Sequence, residues 1–275
     1  MFRPTPLEQY TCAGHPVAVK REDLCAEPPM PPLSKMRGIQ RYLERLKREG
    51  ASAVGVMDTK VSKSGLGVAV ISEALGLQCT YYFPAPQSDD WRTEWRCTAE
   101  QHGARLVPLP GGRIAIAYAR AKAQEEGTML PLGFPLCETV LATAEQVPQE
   151  AFGSIVVPCG TGTISSGVIL GIAQAGWEPK RIVSVTASMD PAKAKRCARK
   201  HLGRALLEKR VDREALGSVL DRWQVVKEGT DYYAPEDTGS IPFPAHPYYE
   251  AKAWAWLTRN IGELPAPILF WNVGS

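Results

Sequence analysis

Lys35 is the residue whose position in this chain most clearly suggests chemistry. It follows Ser34, where the proline-rich segment P-P-L-S gives way to a helical pattern of apolar residues that ends at Gly50. A lysine at the start of a helix is ordinarily solvated, and the partial positive charge of the helix N-terminus disfavours its ammonium form. The same field lowers the pKa of the amine, which is what a Schiff-base lysine requires.

A glycine-rich loop later in the chain offers a cradle for phosphate. The buried-strand pattern S-I-V-V-P at 154–158 leads into Gly160, Thr161, Gly162 and Thr163. Small residues let backbone N–H groups approach an anion, and the following helix adds positive charge. The loop is neither a Walker A motif nor G-x-G-x-x-G, and alone it is equally compatible with a turn that binds nothing. An amine and a phosphate cradle in one α/β chain together suggest pyridoxal phosphate as the cofactor.

A third polar segment, D-T-K-V-S-K-S-G at 58–65, lies between the end of a predicted strand and the start of a predicted helix. Small polar residues at such a position suit a carboxylate, and two lysines strengthen the preference for an anion. From these residues alone, a flexible polar loop is an equal alternative.

Four groups of residues, taken in order, resemble the fold type II pyridoxal-phosphate enzymes, which include the tryptophan synthase β chain, threonine synthase, serine racemase and aminocyclopropane-carboxylate deaminase. They are K-R-E-D-L at 20–24 with S-K-M-R at 34–37, S-K-S-G at 62–65, G-T-G-T at 160–163, and P-Y-Y-E-A-K at 247–252 with I-L-F-W-N-V-G-S at 268–275. The resemblance implies Lys35 as the Schiff-base lysine that also takes the α-proton of the substrate.

The resemblance further implies two sets of binding residues. Those for the cofactor are Lys35, Lys63, Gly160, Thr161, Gly162, Thr163 and Ser275. Those for the substrate are Ser62, Lys63 and Ser64, at the position of a carboxylate-binding loop, with Tyr248 and Tyr249. For the two tyrosines, core packing at a helix N-terminus is an equal alternative.

Two departures from the family pattern bear on the chemistry. Lys63 stands where the family places an asparagine against the phenolic oxygen of the cofactor. Val273 stands where a threonine or serine usually faces the pyridine nitrogen, and valine forms no hydrogen bond. Asn272 and Ser275 are the available substitutes. With neither, the ring stays unprotonated and is a weaker electron sink, which favours proton abstraction and transfer.

Composition excludes several other classes of protein. With 44% hydrophobic residues among 275, the chain has enough apolar surface for a core. It contains no apolar run of about 18 residues, so no membrane contact is expected, and its start is no signal peptide. Seven scattered cysteines without C-x-x-C indicate reduced thiols in a cytoplasmic protein, and no metal site is predicted.

Charge is concentrated in one segment, although the net charge is only +3. Between Lys193 and Arg213 the basic residues outnumber the acidic ones, Glu208 and Asp212. A solvated helix face is the simpler interpretation, and a surface for a polyanion such as DNA is the alternative.

Strand and helix patterns alternate along the chain, which predicts two three-layer α/β domains with mainly parallel sheets. The predicted strands are 17–20, 53–57, 78–83, 105–109, 154–158, 181–187, 223–227 and 267–271, and the predicted helices are 36–50, 65–75, 91–102, 114–126, 138–147, 164–174, 191–207 and 248–259. We expect a large cofactor-binding domain from 1–35 and 146–275, a smaller domain inserted at 36–145, the cofactor between them, and a homodimer.

The compact form of the chain, with S-K-M-R and a D-T…S-x-x-G loop, resembles family members encoded by bacteriophages. That resemblance implies remodelling of an amino acid attached to thymine in hypermodified DNA, with an isomerase of a glycine–thymine adduct favoured, acting in the host cytoplasm. A deaminase, lyase or racemase of a free small amino acid is the first alternative. A catalytically degenerate phosphate-binding module is the second.

Overall fold

The computed structural model describes residues 2–59, 61–85, 91–187, 189–209, 211–229 and 234–274. Its strands are β1 (Leu7–Cys12), β2 (His15–Arg21), β3 (Ala53–Met57), β4 (Gln78–Pro84), β5 (Ala104–Leu109), β6 (Thr128–Met129), β7 (Ser154–Cys159), β8 (Arg181–Thr186), β9 (Trp223–Lys227) and β10 (Ile268–Asn272). Its α-helices are α1 (Met36–Arg48), α2 (Ser64–Leu75), α3 (Glu94–Gln101), α4 (Ile114–Gln124), α5 (Cys137–Ala144), α6 (Thr163–Gln174), α7 (Pro191–Glu208), α8 (Arg213–Asp221) and α9 (Glu250–Asn260). The predicted α/β class with parallel sheets is confirmed.

Contacts divide the chain into two units. The larger comprises 1–26, 32–38 and 135–275, and the smaller 27–31 and 39–134. The sequence predicted the smaller domain at 36–145, whereas α5 here belongs with the larger unit. The reason is its packing on α6, where an added Cβ on Gly167 would lie 2.4 Å from Cβ of Thr143. A glycine at this point lets the two helix backbones approach closely.

The larger unit contains a six-stranded sheet in the order β1-β2-β10-β7-β8-β9. From β2 to β9 all neighbours are parallel, and β1 pairs antiparallel with β2 at the edge. Ile268 of β10 faces Val17 of β2 on one side and Ser154 of β7 on the other. The carboxyl ends of these strands therefore meet at one edge of the sheet, where parallel α/β sheets bind their ligands.

Helices cover both faces of this sheet. Ile155 and Trp271 belong to a core cluster that includes residues of α5, α6, α7 and α8, while their neighbours Val156 and Phe270 belong to a second cluster with Trp254 of α9. Because successive side chains of a strand point to opposite faces, this alternation gives three layers. It also explains the continuous apolar run of these strands.

The smaller unit contains a four-stranded sheet in the order β5-β4-β3-β6, with all pairs parallel. Tyr81, Tyr82 and Phe83 of β4 are almost completely buried. The parallel register brings the end of β3, at Met57, beside Tyr82. The polar segment after β3 accordingly begins next to a buried aromatic strand.

Within the described part of the chain, no helix is long and apolar enough to span a bilayer. All seven cysteines are free thiols.

A glycine-to-alanine pair tests the contact between α5 and α6. Gly167→Ala places a Cβ against Thr143 and the carbonyl oxygen of Val140, so the free energy of unfolding should fall by about 1–3 kcal/mol. Gly217→Ala in α8 is the control, since nothing lies within 4 Å of its added Cβ, and it should stabilise by up to about 1 kcal/mol. Urea unfolding measures both. Equal effects of the two substitutions would show that close helix packing does not require Gly167.

Candidate active site

Lys35 lies in a turn immediately before α1, held by the C-terminal segment of the chain. The backbone N–H of Ser34 donates to the carbonyl oxygen of Val273 at 3.1 Å. Gly274 has φ +96°, and an added Cβ would lie 1.6 Å from the carbonyl oxygen of Pro32. Only glycine fits there, because both the conformation and the space exclude a side chain. The turn that carries Lys35 is thus fixed at the carboxyl end of β10.

A network of buried charges supports this turn from the end of β2. Glu22 is completely buried and accepts hydrogen bonds from Thr5 and from the guanidinium of Arg37, two residues after Lys35. Arg21 binds both carboxylate oxygens of Asp23, at 2.9 and 2.7 Å. The K-R-E-D-L segment therefore positions the lysine turn through charge-assisted hydrogen bonds.

Asn272 is committed to the same network. Its Nδ2 donates to Asp23 at 2.9 Å and to the carbonyl oxygen of Pro244 at 3.1 Å, and its Oδ1 accepts from the N–H of Gly274 at 3.1 Å. An asparagine amide has two donor hydrogens, and both are used. Asn272 therefore has no donor to spare for a pyridine nitrogen. The other substitute, Ser275, lies outside the described residues.

Glu250 is a functional candidate that the sequence analysis missed. It is the first residue of α9 and is completely buried. Its Oε2 accepts from the N–H of His246 at 3.2 Å, and its Oε1 has no hydrogen-bond partner among the described residues. Burial raises the pKa of this carboxyl to about 8, against weaker lowering by backbone N–H groups and by Lys35. At neutral pH it is mainly a protonated donor in the field of Lys35.

The glycine loop at 160–163 ends β7 and begins α6. Gly162 has φ +84°, and an added Cβ would lie 2.7 Å from Cβ of Ala198 in α7. The hydroxyl groups of Thr161 and Thr163 lie 3.1 Å apart. Backbone N–H groups in the first turn of α6 lack acceptors within the helix and lie in its positive field. Backbone amides and hydroxyls at a helix N-terminus match a phosphate group.

Helix α7 supports the loop from behind. Nε2 of His201 lies 3.1 Å from the carbonyl oxygen of Thr161. The hydroxyl of Ser166 lies within hydrogen-bonding distance of the carbonyl oxygens of both Gly162 and Ala198, at 2.7 and 2.8 Å. These contacts fix the carbonyl groups away from the anion side of the loop.

The segment predicted to bind a substrate carboxylate already contains a carboxylate of its own. Asp58 is 2% exposed and accepts from the hydroxyl of Ser62 at 2.8 Å, from the N–H of Gly65 at 2.5 Å and from the hydroxyl of Tyr81 at 3.1 Å. The hydroxyls of Ser62 and Ser64 are also 3.1 Å apart. The polar groups at the N-terminus of α2 are therefore directed largely to Asp58.

The aromatic residues before α9 form a half-buried cluster. The ring centroid of His246 lies 5.5 Å from that of Tyr248 and 5.0 Å from that of Tyr249. These separations fit aromatic packing, and the partial exposure leaves ring surface accessible. The cluster precedes Glu250 directly in the chain.

The predicted residues thus fall into two groups. Lys35, the 160–163 loop and the Tyr248–Tyr249 pair belong to the larger unit. There the Lys35 turn is bonded at the end of β10, and the loop follows the neighbouring strand β7. Ser62, Lys63 and Ser64 belong to the smaller unit. The one signal that pointed to Glu250 was its place in P-Y-Y-E-A-K, since burial of a single glutamate cannot be read from a sequence.

Comparisons with known proteins agree with this geometry. The family described as pyridoxal-phosphate dependent enzyme matches residues 1–238. A protein of Pseudomonas phage M6, described as a glycyl-dTMP PLP-dependent decarboxylase, is 33% identical over 287 residues, which cover 98% of each chain.

Solved structures show the same fold. An ACC deaminase homologue superposes with a TM-score of 0.80 at 18% identity, covering 99% of this chain and 89% of its own. A fungal L-serine ammonia-lyase from Rhizomucor miehei gives 0.65 at 16% identity, covering 100% and 94%, and maize serine racemase gives 0.64 at 16%, covering 99% and 90%.

The protonated state of Glu250 predicts a pH dependence of stability. The carboxyl keeps its proton up to about pH 8 in the folded chain, whereas an unfolded glutamate loses it near 4.5. The folded state binds more protons between these values, so the free energy of unfolding should fall with rising pH by up to about 1.4 kcal/mol per pH unit. Glu250→Gln should remove this slope, and the exposed Glu263→Gln should keep it. Thermal unfolding between about pH 5 and pH 8 measures it, and a wild-type curve as flat as that of Glu250→Gln would contradict the assignment.

Proposed function

The chain belongs to the pyridoxal-phosphate dependent enzymes, and from that premise we propose that it removes the carboxylate of a glycyl group carried by a thymine nucleotide. Action on an amino-acid moiety is the coarser assignment that the family and the relatives of the chain support. The observation that carries the finer proposal is the similarity, along nearly the whole of both chains, to a phage protein described as a glycyl-dTMP decarboxylase.

The residues of the larger unit fit the cofactor. When bound, pyridoxal phosphate draws electrons from the α-carbon of an attached amino acid, so that a carboxylate or a proton can leave that carbon. We assign the amine of Lys35 to the cofactor's aldehyde and the 160–163 loop to its phosphate. The unpartnered Oε1 of Glu250 supplies a proton donor for the ring nitrogen, where Val273 offers none. Lys35, when released by the substrate amine, holds the proton that the α-carbon needs after CO2 has left.

Glu250 also bears on the choice between decarboxylation and isomerisation. The sequence favoured proton transfer because Val273 cannot form a hydrogen bond with the pyridine nitrogen of the cofactor. A protonated carboxyl that stays neutral because it is buried restores the electron sink that loss of CO2 requires. This supports decarboxylation over the isomerase that the sequence favoured.

The hydrogen bonds of Asp58 also support decarboxylation over isomerisation. We assign Ser62, Lys63 and Ser64 to binding the substrate carboxylate, with Lys63 as the attracting cation. Because the N–H of Gly65 and the hydroxyl of Ser62 serve Asp58, the substrate carboxylate receives fewer hydrogen bonds there. A carboxylate that lacks donors and lies near a second carboxylate is destabilised relative to neutral CO2.

The remaining assignments concern the substrate's nucleotide and the setting. We assign the exposed ring surface of Tyr248 and Tyr249 to stacking against the thymine base, for which aromatic side chains are suited. A location in the cytoplasm of the infected cell follows from the proposed phage pathway, and a homodimer remains a prediction.

Incubation of purified holoenzyme with glycyl-dTMP tests the function. We expect release of CO2 and a product that lacks the carboxyl group. Lys35→Ala should lower the rate by about 10²–10⁴, because it removes both the cofactor's attachment and the proton carrier. Lys47→Ala, at an exposed lysine of the following helix α1, should leave the rate unchanged.

Each competing assignment gives a different result in that assay. An isomeric product without CO2 indicates the isomerase, and turnover only of free serine or threonine indicates an enzyme of free amino acids. Absence of a cofactor absorbance band that depends on Lys35 indicates a degenerate module. Any of the three would reject the decarboxylase.

Asp58→Asn tests how the reaction is directed. With a neutral amide at this position the substrate carboxylate should be held more firmly, so the ratio of CO2 release to exchange of the α-proton with solvent should fall about tenfold, equivalent to ~1.4 kcal/mol. Asp212→Asn is a matched control, since Asp212 accepts from the N–H of Glu214 at the start of α8 in the same way. An unchanged ratio in Asp58→Asn, with an unchanged melting temperature, would remove Asp58 from the mechanism.

A further inference from the structure

Helix α7 has two faces of opposite character. One face is buried in the larger unit and consists of Ala194, Ala198, His201, Leu202 and Ala205. The other is exposed and carries five cations, Lys193, Arg196, Arg199, Lys200 and Arg204. The helix has no acidic residue before Glu208, its last position. A chain whose net charge is only +3 thus concentrates positive charge on one helix face.

Four of these cations form a continuous row, which we call the α7 stripe: Lys193, Arg196, Lys200 and Arg204. Their spacings of three and four residues place them on one side of the helix, along roughly 16 Å of its length. In the described part of the chain none of the four forms an ion pair. The neighbouring Lys195 differs, since its Nζ donates to the carbonyl oxygen of Trp223 at 3.0 Å and lies 5.3 Å from that ring. The stripe is therefore available to an external anion, and Lys195 is a structural residue.

Only part of the basic segment predicted at Lys193–Arg213 forms a surface of positive charge alone. From the end of the helix onward, exposed cations alternate with the exposed carboxylates of Glu208, Asp212 and Glu214. Mixed charges of this kind bind polyanions weakly, because attraction and repulsion offset each other. The useful surface is confined to α7.

We propose that the α7 stripe binds the phosphate backbone of duplex DNA. This rests on the proposed function and adds that the thymine nucleotide is part of DNA. Duplex DNA presents about one negative charge per 1.7 Å of its axis, so a row of four cations over roughly 16 Å meets a dense line of phosphates. A single bound phosphate ion would not use such a row, whereas an extended backbone engages all of it.

The buried face of the same helix links this surface to the cofactor site. Ala198 contacts Gly162 and accepts from Ser166, and His201 lies 3.1 Å from the carbonyl oxygen of Thr161. The stripe is separated from the phosphate loop by the thickness of one helix, about 10 Å. DNA on the stripe is held on the unit that carries Lys35.

A matched pair of charge-reversal variants tests the stripe. The first is Arg196→Glu/Lys200→Glu/Arg204→Glu in α7, and the second is Arg113→Glu/Arg120→Glu/Lys122→Glu, exposed residues at α4 in the smaller unit. Both variants change the net charge equally, so a difference between their affinities for DNA shows that the position of the charges matters. The probe is a fluorescein-labelled, unmodified DNA duplex of about 25 base pairs, titrated with holoenzyme at several salt concentrations.

We expect the α7 variant to bind the duplex at least tenfold more weakly than the wild type at about 50 mM salt. The slope of log K against log salt should become smaller in magnitude by about 3, while the α4 variant should keep most of the affinity and the slope. Equal binding by the wild type and the α7 variant, or equal losses in both variants, would overturn the proposal. Equal losses would mean that only net charge matters.

Turnover of the mononucleotide glycyl-dTMP tests the proposed decarboxylation separately from the binding of DNA by the α7 stripe. Wild type and both variants should release CO2 from it at the same rate, because a mononucleotide has no backbone to place on the stripe. If all three proteins turn it over but the α7 variant still binds the duplex normally, the α7 stripe does not bind DNA and the proposed decarboxylation is retained. If none of the proteins turns it over while only the α7 variant loses duplex binding, the proposed decarboxylation is wrong and DNA binding by the α7 stripe is retained.

Discussion

The contact between the C-terminal segment and the turn before α1 is the constraint on which the site depends. A lysine side chain has many rotamers, so its amine acts at a defined place only if its backbone is fixed. Ser34 is bonded to Val273, and Gly274 lies so close to Pro32 that no side chain could fit. Because β10 lies beside β7, this contact holds the Lys35 turn at the end of the strand next to the one that the 160–163 loop follows. Val273 and Gly274 thus complete a candidate site that begins near Lys35.

The charges around this contact act through orientation rather than through net stabilisation. Burying ions such as Glu22 and Arg37 costs desolvation that their attraction largely only offsets, but removing one partner leaves an uncompensated charge. Arg21, Asp23 and Asn272 extend the same arrangement across β2 and β10. Each bond has a preferred direction, so the set admits few alternative positions for the turn. An apolar cluster of the same volume would lack this directional restriction.

The sequence predicted most of the fold because its strands are locally apolar and its glycines mark the turns. It missed β1, whose L-E-Q-Y-T-C is polar because an edge strand is half exposed, and it missed α8, for which no helix was predicted. It assigned α5 to the smaller domain, since a periodic pattern shows that a helix buries one face but not what covers it. Lys35 and the glycine loop carried enough local signal to be singled out. Glu250 and Asp58 did not, because their roles depend on burial and on donors from distant positions.

Glu250 and Asp58 show how one side-chain chemistry serves two purposes. The side chain of Glu250 accepts from the N–H of His246, and desolvation by burial keeps its proton on. Asp58 is almost as inaccessible to water but accepts hydrogen bonds from Gly65, Ser62 and Tyr81. The two buried carboxyls therefore differ in the number of donors around them. In the proposed function, a neutral acid of the first kind donates to the ring of the cofactor.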